Sequence, residues 1–493
     1  MAENGARVKS STDPTRGTEP SSPASTQAAV QDQPDGLKRV LGPLDATAIV
    51  IGAIIGVGIF FTPSTVAKLA GSGQAALLAW ALGGAIALAG GLTFARLGAI
   101  CTQAGGQYEV LRDALGPLPA FVFVFCNATA IQAGAIAIIA MICAMNLHLA
   151  IAGEDASPSM TAGAAIRLIA ALAAANVVGV RTGAGVQNAT VLARLAAVAL
   201  IVVLAAAAGG APAATAQSTS QAISQAASSA RAQSPAPPAF WSMLVLLPAA
   251  IVPSFFAYGG WQHALWIGGE IRNPSRNVPL AIVVGVVTVI IAYVLINAAY
   301  LRLLGYEGVA SSRALAADAV GAVWPGIGRQ AAAAMVAVSA LGVLNAQLLS
   351  GPRLIYRMAE DGRFFALFSR LDPRFATPWA AVLLLAGLGI VLVLAAGLNG
   401  VDRLLTGVVF VDGVFFFLTG VSAFVLARRA ASAAAPRFGY PLAPAIFCAG
   451  EAAIMIGAYL DRDTRAAAVV GLIWIAAAVG LYLARFHRQR RAG

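Results

Sequence analysis

Charge is what this sequence has least of. Only 11% of its 493 residues are Asp, Glu, Lys or Arg, against about 25% in an ordinary soluble domain. Lysine is nearly missing: Lys9, Lys38 and Lys68 are the only three, and arginine supplies the rest of the positive charge. Cysteine is scarce as well. Cys101, Cys126, Cys143 and Cys448 lie within or beside apolar runs, with neither metal-ligand spacing nor a disulfide pattern. The histidines, His148, His263 and His487, are dispersed, and no phosphate loop, zinc motif or catalytic constellation can be assembled. These gaps argue against an enzyme and imply neither cofactor nor metal. The net charge of +11 could suit nucleic acid, but an excess of arginine on one side of a membrane accounts for it without such a partner.

What fills the chain is apolar. Hydrophobic residues make up 59% of it, and the mean hydropathy is +0.80. A bilayer core needs about 20 apolar residues in a helix, and twelve such runs fall between residues 44 and 486. The fold class expected is an all-α polytopic membrane protein of twelve transmembrane helices, with the lipid bilayer as its main partner. Residues 1–36, rich in Ser, Thr, Pro, Gln and Ala, form a disordered tail. Residues 37–486 form the membrane domain: a first set of helices over about 44–209, an Ala/Ser/Gln/Pro-rich loop at 210–239, a second set over about 240–427, and two extra helices in 440–486. A basic tail, 487–493, follows. Threading the runs alternately puts most of the 32 Lys and Arg on the side that holds both termini, so both termini are expected in the cytoplasm.

Two runs are interrupted. LDATAIVIGAIIGVGIFFTPSTVAKLA (45 falls on its Asp) carries Gly52, Gly56 and Gly58 near its middle, followed by Pro63. FWSMLVLLPAAIVPSFFAYGGWQHALWIGG at 240–269 carries Pro248, Pro253, Gly259 and Gly260. Glycines in a membrane helix can simply serve close packing. Interrupted segments at corresponding places in two halves point further, to broken helices whose exposed N–H and C=O groups bind a substrate. Each set of five spans begins with an interrupted run, and the two sets are opposed in topology, the layout of inverted repeats.

Five passages then carry a resemblance. GAIIGVGIF at 52–60, AGGQYEVLRDALGPLPAF at 104–121, FFAYGGWQHALWIGGEIRNPSRNVPLAI at 255–282, LLSGPRLIYRMAEDGRFF at 348–365 and VFVDGVFFFLTGVSAFVLARR at 409–429 occur in order. Together they resemble the amino acid–polyamine–organocation transporter superfamily, near its L-type transporters and bacterial serine/threonine exchangers, over about residues 38–486. The resemblance implies a five-plus-five inverted-repeat (LeuT-like) fold with helices 1 and 6 broken. It implies alternating-access transport of an amino acid, here a neutral one, in a bacterial cytoplasmic membrane, while any protein partner stays unknown. The substrate carboxylate is expected on the backbone N–H groups of Ile55, Gly56, Val57, Gly58 and Ile59. Its amino group is expected on carbonyls of the first break and of Phe256, Ala257 and Tyr258, beside Gly259. Phe256 is the expected aromatic gate. Orphan N–H groups favour an anion and orphan carbonyls a cation, so the physics agrees.

Side chains near the breaks are open to two readings. Gln262 and Asn127 either line the pocket or bond between helices; Gln132 is like Asn127. Glu270, Arg272 and Arg276, with Glu109, Arg112 and Asp113, either form an inner gate or are solvated loop charge. Asp412, inside the tenth span, is a possible proton carrier. Glu451, in the eleventh, falls outside the ten-helix core and suggests a structural role. By resemblance Arg194 stands where relatives hold a lysine beside the first break, as a surrogate for a bound ion; alternatively it snorkels to the surface. An arginine stays charged where a lysine can lose its proton. The competing functions are an amine or polyamine carrier and a non-transporting amino acid sensor. A carrier of cations needs side-chain carboxylates near the breaks, and none stands in 52–60 or 255–262.

Overall fold

The computed structural model describes residues 37–207, 240–312, 314–324, 326–396, 401–429, 439–460 and 462–487. The expected tail 1–36, the loop 210–239 and nearly all of the basic tail lie outside the described residues. Among the described residues, eight helices are long and apolar enough to cross a membrane, and three shorter apolar helices accompany them.

In chain order the helices are α1 (Pro43–Ile54), α2 (Thr62–Ala70), α3 (Gly73–Ile100), α4 (Gly106–Leu115), α5 (Pro117–Cys126) and α6 (Ala133–Ala152). A π-helical turn, Asn127–Gln132, joins α5 to α6. Then come α7 (Pro158–Val178), α8 (Val180–Ala207), α9 (Phe240–Ala257), α10 (Gln262–Trp266), α11 (Pro274–Ser311) and α12 (Leu315–Val323). The last are α13 (Gly328–Ser350), α14 (Pro352–Glu360), α15 (Trp379–Ala396), α16 (Val401–Arg429), α17 (Leu442–Leu460) and α18 (Arg462–Leu481). Two of these elements differ from the sequence expectation. The passage 104–121 is not a plain loop but contains the amphipathic helix α4, and the connection between α11 and α13 holds the short helix α12.

Both interrupted runs leave the helical path. Pro43 starts α1, where its missing N–H costs nothing, and Asp45 Oδ2 accepts from Gly42 N at 2.9 Å. After Ile54 the chain turns through Ile55 and Gly56 into a 3-10 turn, Val57–Phe60, before α2. The second run stops at Ala257, passes Tyr258, Gly259 and Gly260, and resumes as α10 and a 3-10 turn, Gly268–Glu270. Helix α1 packs against α8, α10, α11 and α13, so the first break sits inside the bundle. Helix α3 packs along α11, and α6 along α13. An aromatic cluster of Trp80, Tyr258 and Tyr293 fills the core between α3, α9 and α11, with ring centroids 5.0–5.8 Å apart.

One face of the bundle carries both described chain ends. Leu37 packs on Ala104 and Tyr356, while Arg363 donates to Tyr482 Oη at 3.2 Å and to Phe486 O at 3.4 Å. This face is sealed. Arg353, at the start of α14, donates Nε and Nη2 to the two carboxylate oxygens of Glu270 at 2.9 and 3.0 Å, and both side chains are buried. Val40 N and Leu41 N donate to Glu270 O, at 3.0 and 2.9 Å, and Arg272 N donates back to Leu41 O at 2.9 Å. Arg357 reaches Glu109 Oε1 at 3.0 Å and Glu360 Oε2 at 2.6 Å, and Arg112 pairs with Asp361. Burial pushes the Glu109 carboxyl up to about 7, with Arg357 and Arg112 drawing it back down. Of the loop charges singled out above, Glu270, Glu109 and Arg112 thus join one network, through helix α14, while Arg272 and Arg276 stay exposed.

Removing one partner of a buried ion pair strands the other, at about 3–5 kcal/mol, whereas replacing both with apolar residues often restores stability. Arg353→Met is therefore expected to lower the thermal unfolding temperature of the purified protein sharply, and Arg353→Met combined with Glu270→Leu to recover most of the loss. Unfolding of Arg353→Met at the wild-type temperature would show that this pair does not hold the face together.

Candidate functional site

The two breaks meet backbone to backbone. Gly260 has φ 137°, and a Cβ there would lie 2.7–2.8 Å from Ala53 C and O and from Ile54 N. Only glycine allows both that backbone angle and that approach. The sequence marks Gly260 as one of a pair of interruptions, yet it is the residue at which the halves touch.

Next to this contact lies a cavity of about 840 Å³. Its floor is made by Ala53, Ile54, Gly56 and Gly58 from the first break and by Ala257, Gly259, Gly260 and Gln262 from the second. Ile131, Ile138, Ile139, Ile142 and Met145 along α6 and its π-turn make one wall, and Asp412, Phe416, Glu451 and Ile454 of α16 and α17 make another. Phe256 stands on the cavity with 49% of its surface exposed. Met145 and Phe61, half exposed, lie toward the end of the bundle away from the sealed face.

Not all five first-break amides are open. Ile55 N donates to Ile51 O at 2.8 Å and Gly56 N to Ile54 O at 2.7 Å. Val57 and Gly58 begin the 3-10 turn, so their N–H groups have no acceptor within it. The i→i+3 pattern directs the N–H of Ile59 to the carbonyl of Gly56, and the expectation for Ile59 is corrected with those for Ile55 and Gly56. The expectation for Ile55 and Gly56 is corrected accordingly: in this conformation their amides close the end of α1. The Ile59 side chain is buried in the core, and only its backbone is at the turn. Tyr258 also turns its ring away, donating from Oη to Trp80 O at 3.1 Å, which leaves only its backbone at the second break. Asn127 does not line the cavity. It is buried in the π-turn, about 6 Å of helix rise nearer the sealed face than Ile131.

Arg194 does not snorkel. From α8 its Nη1 donates to Gly52 O at 2.7 Å and to Ile55 O at 2.5 Å, and the residue is 3% exposed. Ser339 Oγ adds a bond to Ile55 O at 3.3 Å, and Tyr293 Oη one to Ile54 O at 3.0 Å. The carbonyls that end α1, the negative pole of that helix, are thus covered by a guanidinium and two hydroxyls. Room for the guanidinium comes from α13: a Cβ on Gly342 would collide with Arg194 Nη2. Gly342, Ser339 and Tyr293 were not legible as site residues, being ordinary small or aromatic residues in apolar spans.

That collision gives a test. Overpacking costs about 1–3 kcal/mol, and residues in contact give non-additive effects. Gly342→Ala is expected to lower the unfolding temperature by displacing the guanidinium. Adding Arg194→Ala should then cost less than it does in the wild-type background. Additive losses in this double-mutant cycle would mean that the two positions do not touch.

The sequence pattern of the amino acid permease family matches residues 41–484. The chain is 30% identical over 454 residues to the serine/threonine exchanger SteT of Bacillus subtilis (strain 168), a match covering 90% of this chain and 96% of that protein. It is 28% identical over 371 residues to b(0,+)-type amino acid transporter 1 of Mus musculus, covering 74% of this chain and 71% of that one. To the large neutral amino acids transporter small subunit 2 of Homo sapiens it is 27% identical over 386 residues, 77% of this chain and 69% of the relative. The family pattern spans the breaks, the cavity and the sealed face alike, and the chain belongs to the amino acid permease family.

Proposed function

We propose that this protein exchanges small amino acids, neutral ones among them, across a bacterial cytoplasmic membrane by alternating access. One observation carries the reading: two broken helices present open backbone groups to a single cavity. The amides of Val57 and Gly58 would take the substrate carboxylate, and carbonyls of Ala53, Phe256 and Ala257 its ammonium group. Those groups recognise what all amino acids share. The isoleucines and methionines of the α6 wall would receive an apolar or small side chain. SteT, by its name, exchanges serine and threonine, and substrates of that kind fit such a site.

The bundle reads as twelve crossings in two inverted sets of five with two helices added. The packing of α3 on α11 and of α6 on α13 supports this, since each pair joins corresponding members of the two sets. With the terminal face in the cytoplasm, as the arginine distribution suggests, the sealed end is the inner one and the cavity opens outward. Phe256 would close over an occupied site. Arg194 occupies the end of α1, its guanidinium on Gly52 O and Ile55 O, which supports the reading that no sodium ion binds at that place.

The test is counterflow in proteoliposomes. Labelled serine, threonine or leucine should enter vesicles preloaded with unlabelled amino acid at least about tenfold faster than empty ones, with or without a sodium gradient. Uptake that requires sodium, or that ignores the internal amino acid, would sink the exchange reading.

A further inference from the structure

Two carboxylic acids stand in the cavity wall with no cation beside them among the described residues. Asp412 is on α16, and Glu451, 3% exposed, is halfway along α17. They are close: Glu451 Oε2 lies 3.5 Å from where a Cβ would sit on Gly413, the residue after Asp412. Both line the same cavity as the two breaks, although the sequence places Glu451 in an appended helix with a structural role. No Lys or Arg is among the described residues lining that cavity, and the only other titratable one is His263, whose Nδ1 is engaged by Ser350 Oγ. No described side chain forms a hydrogen bond or ion pair with either acid.

The surroundings are those of a site for an organic cation. Gln262, whose buried Oε1 has no hydrogen-bond partner, belongs to the same cavity lining, as does buried Trp261, whose Nε1 is also without one. Trp261 stacks on Phe416, with centroids 6.0 Å apart, and Phe416 is one helical turn beyond Asp412. Phe447, one turn before Glu451, meets both rings. An acidic group in a membrane interior is costly unless it is paired, and two like charges in low dielectric repel strongly. An ammonium or guanidinium between them would relieve both penalties, donate a further bond to Gln262 Oε1, and rest against aromatic faces that attract cations.

We propose that Asp412 and Glu451 form a side-chain cation subsite, so that the cavity takes dibasic amino acids whose α-groups sit on the helix breaks. This inference rests on the exchange reading for its transport consequence, but not for binding. The amine carriers set aside on the sequence needed carboxylates inside the break segments; here the acids arrive from helices far along the chain, into the same cavity.

The test compares lysine with norleucine, which has the same carbon chain without the terminal ammonium group. Thermal shift of the purified wild-type protein should show at least about tenfold tighter binding of lysine, with the preference lost in Asp412→Asn and in Glu451→Gln. In proteoliposomes the ratio of lysine to leucine uptake should fall at least about tenfold in either variant. Putrescine separates the sources of the cation: competition by lysine alone assigns the subsite to dibasic amino acids, and equal competition by putrescine would overturn that assignment in favour of free diamines. Equal binding of lysine and norleucine by the wild type overturns the subsite, as does a lysine preference that survives both substitutions. Absence of all uptake would refute exchange while the binding comparison still decides the subsite.

Discussion

A helix cannot end inside a membrane protein without an answer for its last carbonyls, and the answer here is Arg194. An α-helix leaves four C=O groups without intrahelical donors at its C-terminus, and at bilayer depth each unsatisfied group costs several kcal/mol. The guanidinium covers Gly52 O and Ile55 O, and the hydroxyls of Tyr293 and Ser339 reach Ile54 O and Ile55 O. These donors come from α8, α11 and α13, three elements far apart in sequence. The break is therefore a product of tertiary structure, not a local weakness. With it held open, the following 3-10 turn begins at the cavity, which Gly56 and Gly58 line, and Gly260 can lay the second break against the first.

Holding one break fixed also bears on how the bundle can move. The sealed face is joined through Glu270, which bonds to Arg353 by its side chain and to Val40 and Leu41 by its carbonyl. One residue thus ties the segment before α1, the end of the second broken helix and the start of α14. Opening that face must separate these three together, and a buried charge would be exposed or stranded in the process. A contact that three elements share at one residue breaks all at once, which is what the proposed alternating access needs of that face.

The two breaks were legible because glycine and proline stand out against an apolar background. At Gly56, Gly259 and Gly260 the chain leaves the helix where its residue types allow it to. The walls were not legible, for a physical reason. In water, a helix shows its buried face by periodicity; in lipid both the outer and the inner faces are apolar, and the run of isoleucines in α6 gives no sign of which ones see the cavity. The sequence leaves Asn127 open to two readings because depth along the span, not polarity, decides which residues line the cavity. Arg194 could be singled out as a charge in an apolar run, but its companion Gly342 could not, since one glycine among many carries no label. Glu451 lies beyond the ten spans expected to form two repeats, and membership of a repeat is no guide to which side chains face a cavity.

The division of labour between backbone and side chains follows from these placements. On the proposed reading, backbone groups at the breaks cannot distinguish one amino acid from another, because every amino acid would bring the same carboxylate and ammonium group to them. Discrimination must fall to the walls. The α6 wall offers only dispersion and exclusion of water, forces that vary smoothly with size and reject little: one methylene is worth about 1–3 kcal/mol in such a pocket. The α16–α17 wall is different in kind. Charged groups discriminate by leaving a penalty when the partner is missing, so acids there would sort substrates far more sharply than the apolar wall does. A permease can keep the breaks unchanged, since they read what its substrates share, and alter its specificity by exchanging a few residues on helices that lie outside the broken pair.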